Sequence, residues 1–230
     1  MLYATMNTVK TRAIIGFTQL LATLGAALFA PGWTFCYGFA WVYLALFGTS
    51  TALIFGFLWA KDPALLQRRV KAGPRAEATM TQKWIQTLAA TAFLSELIVP
   101  SLDHRFAWSR VPYGAALLGD ALVCMGLWII FTVFRANSFA AAGIAIAPDQ
   151  RVVSTGPYRV VRHPMYSGAL VMLFGTPIAL GSLWGLVPFA LMSVVLAWRL
   201  LDEERFLAIN LPGYESYLRT VHYRLIPRVW

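Results

Sequence analysis

Six apolar blocks of near-bilayer length leave this chain few ways to fold. They run over Ala13–Ala30, Trp33–Ala60, Trp84–Pro100, Pro112–Phe134, Ser167–Leu180 and Leu183–Leu200. A helix needs about 20 apolar residues to cross the hydrocarbon core, because no water there can satisfy an open backbone. The second and fourth blocks reach that length easily. The first and third are shorter, with Trp84 placed as an interfacial anchor. The last two are broken by Pro177, Gly181 and Gly185, with Pro188 just beyond. They predict a tight helical hairpin joined near Gly181–Ser182, whose first arm is short for a full crossing. The expected fold is all-α: a polytopic membrane helix bundle of five to six hydrophobic segments.

The basic residues orient it. Lys61–Lys83 carries Lys61, Arg68, Arg69, Lys71, Arg75 and Lys83 against Asp62 and Glu77. The positive-inside rule makes this loop cytoplasmic. Threading outward from it places the N-terminus, Arg135–Arg162 and Arg199–Trp230 on the same side. Arg105 and Arg110 then lie outside, so 17 of the 19 Lys and Arg residues are inside. A charge of +9 scattered between apolar blocks argues for anionic lipid headgroups and against nucleic acid. Lys10 and Arg12 precede an apolar run without a convincing cleavage site, so the first helix is expected to be retained.

One stretch does not belong to the lipid. Gly156–Gly168, GPYRVVRHPMYSG, packs two prolines, two arginines, two tyrosines and a histidine into 13 residues. Pro157 and Pro164 each suit the first position of a helix, and each biases its predecessor, Gly156 or His163, towards an extended backbone. Two successive helix starts, with free N–H groups and cationic side chains, form an anion-attracting surface. His163 either caps the second helix or touches a ligand.

Before this stretch, Asn137–Gln150 is too short to span and ends in a turn signal at Pro148-Asp149, and Arg151–Ser154 reads as extended. Beyond Pro212-Gly213, the apolar positions Tyr214, Tyr217, Leu218, Val221 and Leu225 recur at helical spacing. That pattern predicts a surface-lying amphipathic helix. Arg199 and Glu203 lie four apart, as for an i,i+4 ion pair, within a dense acidic cluster at Asp202–Glu204. Glu96 and Asp120 are acids in or near apolar spans, expected at the interface and in a helix–helix hydrogen bond respectively. Cys36 and Cys124 read as buried small hydrophobes. His104, His163 and His222 are too dispersed for a metal site, and no phosphate loop or nucleophile elbow occurs.

With these residues assembled, roughly Asn137–Pro227 resembles the isoprenylcysteine carboxyl methyltransferase family of integral membrane enzymes. The matching features are GPYRVVRHPMYSG, a hydrophobic hairpin, Arg199 with Glu203-Glu204, PGYESY and a closing RLIP. The resemblance implies S-adenosylmethionine as cofactor, bound on the cytosolic side of a C-terminal catalytic region, residues 136–230, with cofactor motif, helical hairpin and amphipathic tail, following the N-terminal transmembrane helices, residues 1–135. By position, Gln150, Arg151, Val152, Val153, Tyr158, His163, Pro164, Met165 and Tyr166 would line the cofactor pocket. Glu203 would hold its polar end, and Arg199 would face the acceptor as the catalytic residue. Helix starts then offer N–H groups to the methionyl carboxylate, Glu203 takes the ammonium or ribose, and tyrosine faces attract the sulfonium. The implied acceptor is lipophilic, a small molecule or a prenylated chain whose carboxylate needs placement more than a base. Two other readings compete: an NADPH-dependent sterol-like membrane reductase, and a non-catalytic membrane scaffold.

Overall fold

The structure, a computed structural model, describes residues 2–70, 73–77, 79–147 and 149–230. Lys71 of the basic segment and Pro148 of the expected turn lie outside the described residues. Four helices are long and apolar enough to cross a membrane. They are α1 (Leu2–Phe29), α2 (Gly38–Lys61), α4 (Met80–Phe106) and α5 (Tyr113–Ala136). A short amphipathic helix, α3 (Pro63–Val70), links the first pair to the second. The hairpin follows as α6 (Pro164–Ala179) and α7 (Leu186–Asn210), and α8 (Tyr214–Thr220) begins the tail. No strand occurs among the described residues, so the all-α bundle is the fold.

Local chemistry explains the boundaries. Thr79 caps α4, its hydroxyl accepting the Gln82 N–H at 3.2 Å. Pro100 does not end α4, which runs on to a left-handed stop at Ala107. Gly181, at φ +73°, turns the chain between the hairpin arms. Pro164 opens α6 at its first turn, whereas the start at Pro157 yields a single 3-10 turn, Gly156–Arg159. Gly156 is not extended as expected. It sits at φ +58°, a left-handed conformation that glycine adopts without penalty and that outweighs the bias from the following proline.

The first arm of the hairpin is shorter than the four candidate spans. A helix of the length of α6 spans about 24 Å, and its turn reaches the loops at the end of the bundle away from the polar stretch. There the Tyr37 hydroxyl donates to the Leu180 carbonyl at 2.5 Å, and Ser182 donates to Asp103, which also takes the Ser109 N–H. What lets α6 enter the bundle is glycine. Gly119 and Gly126 on α5 face Gly175 and Gly168 on α6, and this helix pair makes the most extensive packing in the chain. An added Cβ on Gly126 would lie 2.5 Å from the Gly168 carbonyl oxygen, and one on Gly175 would lie 2.7 Å from that of Gly119. Small residues at such positions let two backbones meet where no hydrophobic force drives helices together.

Several expectations need correction here. Cys36 and Cys124 are exposed, one on the α1–α2 loop and one on the outside of α5, so neither is a core residue. Glu96 is fully buried rather than interfacial, and neither carboxylate oxygen has a partner among the described residues. Asp120 makes no helix–helix hydrogen bond among them, and its Oδ1 is buried without a partner. The tail is not a surface helix either. Tyr214, Tyr217 and Val221 are buried with Leu211 in a cluster that takes in Val152, Tyr158 and Leu207.

Candidate functional site

The polar end of the bundle encloses a cavity of about 380 Å³, within the range of small-molecule sites. All eleven residues singled out in the sequence border it. Gln150, Arg151, Val152 and Val153 come from the irregular segment before the 3-10 turn, and Tyr158 from the turn itself. His163, Pro164, Met165 and Tyr166 come from the start of α6, and Arg199 and Glu203 from α7. Tyr214 and Tyr217 of the tail complete the wall, with Ala89 of α4 and Leu196 of α7 at the apolar side.

Tail and α6 are clasped by one carboxylate. Glu204 receives Arg162 Nη1 at 3.1 Å, His163 Nε2 at 3.2 Å and Arg224 Nε at 2.8 Å. Burial alone would raise this acid. Hydrogen bonds from His163 and Arg224 and the charges of His163 and Arg162 overcome that and hold it at about 2. The backbone repeats the clasp, with the N–H groups of Arg162 and His163 donating to the carbonyls of Tyr223 and Arg224. His163 therefore occupies the N-cap position without capping through its side chain. Its ring belongs to the Glu204 cluster.

Arg199 and Glu203 do not pair directly. Tyr166 stands between them, donating to Glu203 Oε2 at 2.6 Å and accepting from Arg199 Nε at 3.1 Å. The ion-pair partner of Arg199 is Glu77, at 3.0 Å, with only 8% and 1% of the two side chains exposed. Arg199 also donates to Gln82 Oε1 at 3.1 Å and to the Ala142 carbonyl at 2.9 Å. Glu77 in turn accepts Gln86 Nε2 and the Ile144 N–H. Gln82 reaches Asp202 on its other side.

Sequence reasoning missed this group, having counted Glu77 only as an acid set against the basic residues of a cytoplasmic loop. It missed Arg69 too, which is drawn inward over the Phe134 ring at 4.8 Å and donates to the Ala141 carbonyl at 3.1 Å. Burial pushes the Arg69 guanidinium down to about 10. Asn137 donates to the Tyr158 hydroxyl at 2.9 Å, and burial raises that phenol to about 12. A usable signal for Glu77 was its position two residues before Thr79, a helix-capping residue type.

Residues 115–211 match the family model of the phospholipid methyltransferases. The match covers 97 of the 230 residues (115 to 211 inclusive), from α5 through α7, and includes all eleven cavity residues expected from the sequence. This segment is similar to membrane methyltransferases. No curated protein matches the chain.

The wall fits an adenosyl amino acid on its own chemistry. Arg162 borders the cavity, and its Nε is buried without a partner among the described residues. The Met165 and Tyr166 N–H groups belong to the first turn of α6, which has no intrahelical acceptors for them. Glu203 keeps Oε1 free of partners among the described residues, an acceptor for an ammonium or a ribose diol. Four tyrosines and the aliphatic Val152, Leu207 and Leu211 offer faces for a cation and a flat ring.

Proposed function

We propose that the chain is an S-adenosylmethionine-dependent methyltransferase acting on a lipophilic acceptor. The observation that carries this reading is the convergence of all eleven expected residues on one cavity inside the segment similar to phospholipid methyltransferases. When bound, the cofactor supplies a methyl group already activated on a sulfonium. The protein's share is to hold the partners and exclude water. The α6 N–H groups receive the carboxylate end, Glu203 receives a cationic or hydroxyl end, and the tyrosines surround the positive centre. Ala89 and Leu196 carry the wall towards the apolar parts of α4 and α7, the side from which a bilayer-dissolved acceptor enters.

The resemblance extends the reading to an isoprenylcysteine-type carboxylate held by Arg199. That guanidinium already serves four acceptors, so such a carboxylate competes with Glu77 for it. An assay with a methyl-labelled donor and an S-farnesylated cysteine derivative tests this extension, a base-labile methyl ester being the expected product.

Calorimetric titration of detergent-solubilised protein tests the core of the proposal. S-adenosylhomocysteine is expected to bind in the micromolar range, with binding lost in Glu203→Ala and Tyr158→Ala. Binding of NADPH alone would transfer the site to a reductase, and no binding to folded protein would leave a scaffold.

The cavity end is proposed to face the cytosol, with both termini. Cys36 then lies on the outer face, and a membrane-impermeant maleimide is expected to label it in intact cells. Labelling that requires permeabilisation would invert the topology.

A further inference from the structure

The chain of contacts that ends on Glu203 begins outside the segment similar to methyltransferases. Glu77 Oε1 holds Arg199 Nη2 at 3.0 Å, Arg199 Nε holds the Tyr166 hydroxyl at 3.1 Å, and that hydroxyl donates to Glu203 Oε2 at 2.6 Å. Each link limits the next. An arginine fork is planar, so fixing Nη2 on Glu77 and Nη1 on Gln82 sets the direction of Nε. A phenol that accepts from Nε has its own proton directed elsewhere, here to Glu203. Glu203 then has one oxygen fixed and the other left for a ligand.

We propose that Glu77 is a positioning residue for the cofactor subsite, acting through Arg199 and Tyr166 to orient Glu203, and that Arg199 serves the cofactor side of the cavity instead of holding the acceptor. This rests on the methyltransferase reading above. Three observations support it. All three guanidinium nitrogens are engaged by protein acceptors, so an acceptor carboxylate has to displace one of them. Glu77 is itself fixed by the Gln86 amide and the Ile144 N–H, so it is not a mobile stand-in for a substrate anion. Glu77 does not border the cavity, although Arg199, Tyr166 and Glu203 all do.

The test is calorimetric binding of S-adenosylhomocysteine to full-length protein in detergent, with thermal unfolding in parallel. The variants are Glu77→Gln, Tyr166→Phe, their double mutant, and Arg199→Lys. Lysine preserves a charge for Glu77 but has no Nε–H for Tyr166, so it cuts the chain even if Glu77→Gln fails to fold. Each single variant is expected to weaken binding roughly 3- to 30-fold, the loss of about one to two hydrogen bonds' worth of ordering. The double mutant is expected to bind no worse than the weaker single, because a chain cut once has nothing further to transmit.

Independent, multiplying losses in the double mutant would overturn the proposal, as would a lowered thermal midpoint with unchanged affinity in Glu77→Gln and Arg199→Lys. Wild-type binding with unaffected variants defeats this inference alone. Failure of the wild type to bind defeats the methyltransferase reading itself, and this inference with it.

Discussion

Gly126→Leu is expected to abolish folded protein, and even Gly126→Ala is expected to cost about 1–3 kcal/mol or more. A first side-chain carbon at Gly126 meets the Gly168 carbonyl oxygen and the Met172 nitrogen, both at 2.5 Å. Neither atom can turn aside, because both are backbone inside α6. Relief requires α6 to move off α5, and α6 carries His163, Met165 and Tyr166 into the cavity. The defect is therefore expected in two measurements: the yield of monodisperse protein in detergent, and adenosyl-ligand binding by whatever fraction folds. Gly25→Ala is the matched control. Nothing lies within 4 Å of a Cβ there, and alanine for glycine inside a helix gains up to about 1 kcal/mol. Equal behaviour of the two alanine variants would show that α5 and α6 are not held by close backbone approach.

That seam was legible in the sequence, though it was not read there. Gly119 and Gly126 are seven apart, as are Gly168 and Gly175, which puts each pair on one helix face. The bundle itself was legible because lipid allows so few solutions. Once apolar blocks of near-spanning length are found, helices are the only backbone that fits them. The polar stretch and the spacing of Arg199 and Glu203 were legible for a similar reason, since prolines and charges stand out against an apolar background.

What the sequence hid was tertiary. Glu77 reads as a counter-ion among lysines and arginines, and only the return of the α3–α4 segment onto α7 makes it the partner of Arg199. Tyr214 and Tyr217 read as membrane anchors, because a periodic aromatic pattern does not say what it faces. They face Val152, Tyr158 and Leu207 instead. The cysteines were misplaced by a rule drawn from water-soluble proteins. In a bilayer the outside of a helix is apolar too, so Cys124 needs no core to hide in.

Arg199→Met is expected to destabilise the protein by about 3–5 kcal/mol, the usual consequence of leaving one member of a buried ion pair without its partner. For a chain of this size that corresponds to a fall in thermal midpoint of roughly 10 °C. Glu77 is the group left behind, with a side chain only 1% exposed. It would keep the Gln86 amide and the Ile144 N–H but have no positive charge beside it.

Adding Glu77→Gln to Arg199→Met removes the stranded charge while keeping an acceptor in place. The double variant is therefore expected to be more stable than Arg199→Met alone. Ligand binding separates the two roles of the arginine. If it acts on Glu203 through Tyr166, repairing the stability cannot restore the orientation of the carboxylate, and S-adenosylhomocysteine affinity stays low in both variants. Affinity that recovers together with the thermal midpoint would mean the guanidinium only neutralises Glu77, with Glu203 placed by α7 alone. The contacts of Glu203 make the first outcome the expected one. A carboxylate turns towards whatever donor lies nearest, and Tyr166 supplies one at 2.6 Å only while Arg199 holds the hydroxyl from the other side.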